Sequence, residues 1–137
     1  MSESYIPAEL RRLVIARAGA RCEYCGIADS DTYFGCEVDH IISEKHGGTT
    51  DAGNLALACV TCNRAKGSDV ATVADDGGVI GLFHPREHLW REHFAEDGFR
   101  FIGLTEIGRA TVRLLKFNSP ERVEERRAPG PKSPHTA

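Results

Sequence analysis

The sequence predicts an α+β fold: two short strands and a helix stapled by cysteines, with an N-terminal helix ahead of them and a C-terminal α/β extension behind. Three observations carry this. A helical stripe of apolar residues opens the chain, two short apolar runs follow, and two Cys-x-x-Cys pairs, Cys22/Cys25 and Cys59/Cys62, bracket those runs. At 137 residues the chain is most simply one domain with an extension. The expected boundaries are 1–72 for the stapled core, 73–127 for an extension packed on it, and 128–137 for a disordered tail.

In order along the chain, "PAELRRLVIARA" places Leu10, Leu13, Val14 and Ala18 on one helical stripe, with Pro7 suited to the first turn and Gly19 to the stop. "RCEYCG" follows as a tight metal-binding turn. "GCEVDHII" reads as a strand, "SEKHGGTTDAGN" as loop, "LALAC" as a second short strand and "VTCNRAKGS" as a short helix ending at Gly67. "DVATVADDGGVIG" reads as a loop with some extended residues. "PREHLWREHF" (85–94) reads as a helix burying Leu89, Trp90 and Phe94. "GFRFIGL" alternates as a strand, "TEIGRATVRLLKF" is a helix with Thr105 as N-cap, and "SPERVEERR" adds a turn or two of helix. "APGPKSPHTA" is rich in proline and small residues, hence the disordered tail.

No apolar run approaches the roughly 20 residues that span a bilayer, and "MSESYIPAELRR" lacks the apolar core of a secretory signal. A cytoplasmic location and no membrane partner are expected, and there five cysteines argue for metal rather than disulfides. Four thiolates from two tight turns, 33 residues apart, complete a tetrahedral zinc site. Such a site is coordinatively closed and structural. A redox pair would not need the second copy. Cys36 stands alone as a core or strand residue.

Net charge is −3, with ten acids and seven bases in residues 1–72 and ten of each in 73–137. Any phosphate contact must therefore come from a local cluster rather than the field of the whole protein. Arg64 and Lys66, which follow Asn63 on the short helix, and Lys45 in the loop are candidates for nucleic-acid contacts. His46 reads as a loop residue. His84, His88 and His93 do not match the spacing of a helical zinc protease, and Trp90 reads as core.

The series Cys22-x-x-Cys25, Asp39–His40, Gly47–Gly48, Asn54–Leu55, Cys59-x-x-Cys62–Asn63-x-x-Lys66 resembles the HNH endonuclease family. More narrowly, it is similar to the bacterial and phage branch whose ββα-metal fold carries a four-cysteine zinc. The resemblance covers about residues 8–68, and segment 82–115 is similar to an extension on many bacterial members. It implies hydrolysis of nucleic-acid phosphodiesters with one divalent cation, and catalytic roles for Asp39, His40, Asn54 and Asn63. The residue types fit that chemistry. Histidine can serve as a neutral base near pH 7, while Asp39 and Asn63 offer oxygen ligands suited to Mg²⁺ or Mn²⁺. Asn54 fits the middle asparagine, whose expected task is to bond backbone and orient His40. Asn63 stands where the family name has its last histidine, which favours harder ions. Adjacent strand residues point to opposite faces, so Asp39 and His40 can serve one phosphate only where the strand bends or ends.

Two other readings stay open on sequence: a zinc-stapled nucleic-acid-binding module without cleavage activity, and a zinc-structured protein-interaction domain. DNA is the expected partner, with RNA open. A lone active site cuts one strand per event, and no oligomerisation signal stands out, so a monomer or weak dimer is expected.

Overall fold

The computed structural model describes residues 5–129. Helix α1 (Ala8–Ala18) begins after Pro7 and ends at Gly19, whose N–H closes on Ala16 O at 3.1 Å. Its buried stripe is narrower than the sequence suggested. Val14 is fully buried, Leu10 and Ala18 are half-buried, and Leu13 is exposed. The helix packs on the hairpin of β1 (Cys36–His40) and β2 (Leu55–Cys59), where Val14 meets Leu55 and Leu57 in a small satellite core. Arg17 fastens the far end of α1 to the hairpin through Ala52 O (2.9 Å) and Leu55 O (2.7 Å).

β1 and β2 are antiparallel, with Glu37 opposite Ala58, Asp39 opposite Ala56 and His40 opposite Leu55. Alternation therefore separates Glu37 and Asp39 on one face from Cys36, Val38 and His40 on the other. α2 (Val60–Lys66) starts directly from β2, capped by the Cys59 sulfur on the Cys62 N–H. It lies over the face of Glu37 and Asp39, where the small Ala56 and Ala58 leave it room. Two strands then a helix, with the cysteines at one end, is the order the sequence implies.

The extension differs in detail. The segment expected as loop is a hairpin of β3 (Ala71–Val73) and β4 (Val79–Gly81), turned by Asp76, whose carboxylate accepts from Gly78 N at 2.9 Å. It straddles the 72/73 boundary expected between core and extension. The helix expected over 85–94 is only α3 (Trp90–His93). A turn at 85–88 is held by imidazoles: His84 N donates to His88 Nδ1 and Arg86 N to His84 Nδ1. Leu89 is then extended (φ −97°, ψ 126°) and 67% exposed, and Phe94 begins a strand. Pairing of β5 (Phe94–Asp97) with β6 (Arg100–Gly103) overrides the helical pattern. α4 (Glu106–Leu114) is capped by the Thr105 side chain on Gly108 N as expected, and α5 (Pro120–Arg127) follows. From residue 130 on, the expected tail lies outside the described residues.

One buried cluster joins the two parts. Tyr24, Ile41 and the four zinc-type cysteines pack with Phe83, Trp90, Phe94 and Phe117. The rings form a continuous chain, Phe83 to Phe94 at 5.3 Å, Trp90 to Phe94 at 4.9 Å and Phe94 to Phe117 at 5.6 Å. Trp90 Nε1 also donates to Tyr24 O at 2.7 Å, so a backbone carbonyl of the first metal-binding turn is satisfied from the extension. No helix among the described residues is long and apolar enough to cross a membrane.

Phe94→Ala is expected to cost about 3–5 kcal/mol, read as a lower urea midpoint. Leu89→Ala, a change at the residue the sequence placed in the core, should stay within about 0.5 kcal/mol.

Candidate active site and metal centre

The metal centre is built by two turns. Tyr24 N and Cys25 N both point at Cys22 Sγ (3.4 Å each), and Cys62 N points at Cys59 Sγ (3.4 Å). Gly26 (φ 84°) reverses the first turn in a backbone region that side chains disfavour. The ligand atoms of Cys22, Cys25, Cys59 and Cys62 lie within 4.8 Å of one another, all buried. Four sulfurs held ~2.3 Å from a tetrahedral ion would stand ~3.8 Å apart, and Cys25 and Cys59 stand at 3.8 Å. The four side chains can thus hold a zinc ion. Burial raises the Cys22 and Cys62 thiols above their ordinary value, while hydrogen bonding from the neighbouring cysteines lowers Cys25 and Cys59 below it. Cys36 is not a member of the cluster. Burial pushes its thiol up to about 12, as befits an inert strand residue.

One sequence-distant cation reaches this centre. Arg122, from α5, is 4% exposed and donates from Nη2 to Cys62 Sγ at 3.0 Å. Burial works against its charge, but the thiolates of Cys62, Cys25 and Cys59 outweigh that and raise its pKa.

The candidate catalytic residues lie at the opposite end of β1 and across from it on α2. Asp39 is half-buried on the α2 face, and burial raises its carboxyl pKa against the opposing pull of Lys66 and His40. Asn63, on α2, donates from Nδ2 to Glu37 Oε2, which ties helix to strand. Glu37 was not singled out from sequence. The period of two from Asp39 would have found it. Tyr24 also reports on this face. Its hydroxyl is buried with no hydrogen-bond partner, and its pKa is raised by burial and then by the Asp39 charge.

His40 is the last residue of β1, where regular pairing ends. Its Nε2 lies 2.9 Å from Thr50 Oγ1, and that hydroxyl is directed to Glu44 Oε2 at 3.4 Å. If that hydroxyl donates to the carboxylate, it can accept from an imidazole protonated at Nε2, the tautomer that leaves Nδ1 free to take a proton. Thr50 was likewise absent from the sequence reading. Asn54 closes the loop behind the ring. It accepts from Ile42 N (2.9 Å) and donates to Ile42 O (2.9 Å) and Thr49 O (2.8 Å). The chain leaving His40 is therefore bonded on both its backbone groups to one buried amide.

The three expected phosphate contacts separate. Lys45 and Arg64 are exposed, but Lys66 is 3% exposed and its ammonium donates to Ile41 O at 2.8 Å. Burial lowers its pKa, offset in part by Asp39 and Asp69. The side chain turns inward, so the structure gives Lys66 an internal role, pinning α2 to the chain just past β1, in place of the surface contact expected.

Gly48 passes so close to the clamp that a Cβ there would sit 1.7 Å from Ile42 O and 2.8 Å from Asn54 Nδ2. Asn54→Ala leaves Ile42 and Thr49 groups unpaired, and it and Gly48→Ala should each destabilise by about 1–3 kcal/mol. Because both break one clamp, the double variant in a urea titration should lose less than the sum.

The model of the family described as HNH endonuclease matches residues 22–69. No match is found among the curated proteins or the solved structures. The matched segment runs from the first metal-type cysteine to just past α2, and it contains both cysteine turns, the hairpin, the clamped loop and Asn63. Over residues 22–69 this chain is similar to the HNH endonuclease family, and the four cysteines that could hold zinc lie in that segment.

Proposed function

We propose that the protein is a metal-dependent HNH endonuclease that hydrolyses phosphodiester bonds of DNA, with zinc in the four-cysteine centre as a structural ion. The observation that carries the reading is the orientation of His40. It is the last residue of its strand, with Nε2 2.9 Å from Thr50 Oγ1, next in sequence to Asp39, whose face of the strand also carries Glu37 and its partner Asn63. A base must have one nitrogen fixed and the other free, and the Thr50–Glu44 pair meets that need.

In this reading His40 takes the proton of the attacking water at Nδ1. The water oxygen bonds to phosphorus as the ester oxygen leaves. Asp39 and Asn63, with Glu37 alongside, would hold one Mg²⁺ or Mn²⁺, which when bound supplies positive charge to the phosphate and the leaving oxygen. The all-oxygen donor set favours such hard ions. Asn54 keeps the backbone after His40 in place so that the ring does not swing. Lys45 and Arg64, both exposed, would contact the backbone of the nucleic acid.

A second reading has one observation in its favour. His40 is only 8% exposed, which suits a nucleic-acid-binding module that does not cut. A divalent-metal panel on plasmid, linear and single-stranded DNA and on RNA separates the two.

Plasmid nicking should require Mg²⁺ or Mn²⁺ and fall by roughly 10²–10⁴ in His40→Ala, with zinc content and circular dichroism unchanged. Unaltered nicking in that variant would remove His40 as the base. A wild-type protein that binds DNA and never cuts would leave the binding module standing. Arg64→Ala should weaken DNA binding similarly across sequences and lower the slope of log affinity against log salt by about 1.

A further inference from the structure

The zinc-type sulfurs are all in residues 22–62, yet the only guanidinium that reaches them among the described residues is 60 residues further along. Arg122 Nη2 lies 3.0 Å from Cys62 Sγ and 3.8 Å from Cys59 Sγ, while Nη1 donates to Leu115 O at 2.8 Å. Its guanidinium carbon stands 5.9 Å from the centre of the Phe117 ring. The side chain is thus a fork with one arm on the sulfurs and one on the loop after α4. On the next turn Glu125, also 4% exposed, accepts from Thr32 Oγ1 and Tyr33 N (2.7 Å each) in the segment that leads from the first cysteine turn into β1. α5 therefore grips the metal centre directly and the adjoining chain separately.

A zinc ion held by four thiolates carries a formal charge of −2 in a buried site. Uncompensated, that charge is costly there. The geometry points to Arg122 as a positioning residue of the metal centre: its fork sets the electron density and orientation of Cys59 and Cys62, and α5, outside the family segment, completes the zinc site. The coupling is reciprocal. Whatever factor the docked α5 adds to zinc affinity, zinc adds to the docking of α5. Asn63 follows Cys62 directly, so the same contact steadies the start of the helix that carries it. This inference rests on the zinc reading of the cysteine cluster.

The test uses the full chain loaded with zinc, and a parallel preparation loaded with Co²⁺. Zinc analysis of the wild type comes first, since a protein that binds none would remove the zinc reading itself. In Arg122→Met, zinc transfer to a chromogenic chelator should become roughly 10–100-fold more favourable, and the sulfur-to-cobalt charge-transfer bands should move to lower energy. Arg122→Lys keeps the charge but cannot span sulfur and carbonyl together. It should lose zinc more readily than wild type, and it decides the matter by the same two readouts if the methionine variant does not fold. Glu125→Ala loosens the same helix without touching sulfur and should leave the bands where they are. Wild-type bands and wild-type zinc retention in the Arg122 variants would overturn the assignment. So would bands displaced as far by Glu125→Ala, because docking of the helix alone would then account for the effect.

Discussion

The sulfurs of Cys22, Cys25, Cys59 and Cys62 lie within 4.8 Å of one another, although two pairs separated by 33 residues supply them. The apolar contacts of α1 amount to a satellite cluster around Val14, Leu55 and Leu57, and the α2 side of the hairpin contributes alanines. Free energies of zinc binding in small domains reach on the order of 10 kcal/mol, comparable to the whole stability of an ordinary domain. The metal centre fixes where β2 ends and α2 begins, because Cys59 is both the last strand residue and the helix cap. Asn63 then follows from geometry one residue past the last sulfur.

The pleat imposes the next constraint. A carboxylate and an imidazole on consecutive strand residues face opposite ways. In β1 the imidazole of His40 and the carboxylate of Asp39 keep to opposite faces; the strand ends at His40, and the chain bends immediately after it, a bend stabilised by Asn54 through both backbone groups of Ile42. Inside the strand the period of two is kept, which is why Glu37 joins Asp39 under α2. Lys66 reinforces the junction from within by bonding Ile41 O. The site is thus a strand end held between a helix on one face and a clamped loop on the other.

The extension is part of the same solid. Its aromatic rings supply most of the bulk of the shared core, Trp90 satisfies Tyr24 O, and Arg122 reaches the sulfurs. Arg86 and Glu23 form a further ion pair between the extension and the first cysteine turn. A boundary drawn at residue 72 would cut through β3.

Much of this was legible from local pattern. The spacing of the cysteines named their clustering, the apolar runs named β1 and β2, and Gly19, Gly67 and Thr105 marked helix ends, because turns, caps and periodicity are set by residues close in the chain. The α+β class followed from those signals alone. The placement of Leu89 and Phe94 did not, since pairing with β6 outweighs a helical pattern only once the two strands meet. Nor did Glu37 with Asn63, Thr50 with His40, or Arg122 with Cys62, contacts across 26, 10 and 60 residues. A lysine three residues past an asparagine reads as a surface cation until the fold buries it. Sequence by itself determined which groups exist and where the chain can turn; which side chains share a buried space was decided only by the packing of distant segments, where desolvation forces every charge to find a partner.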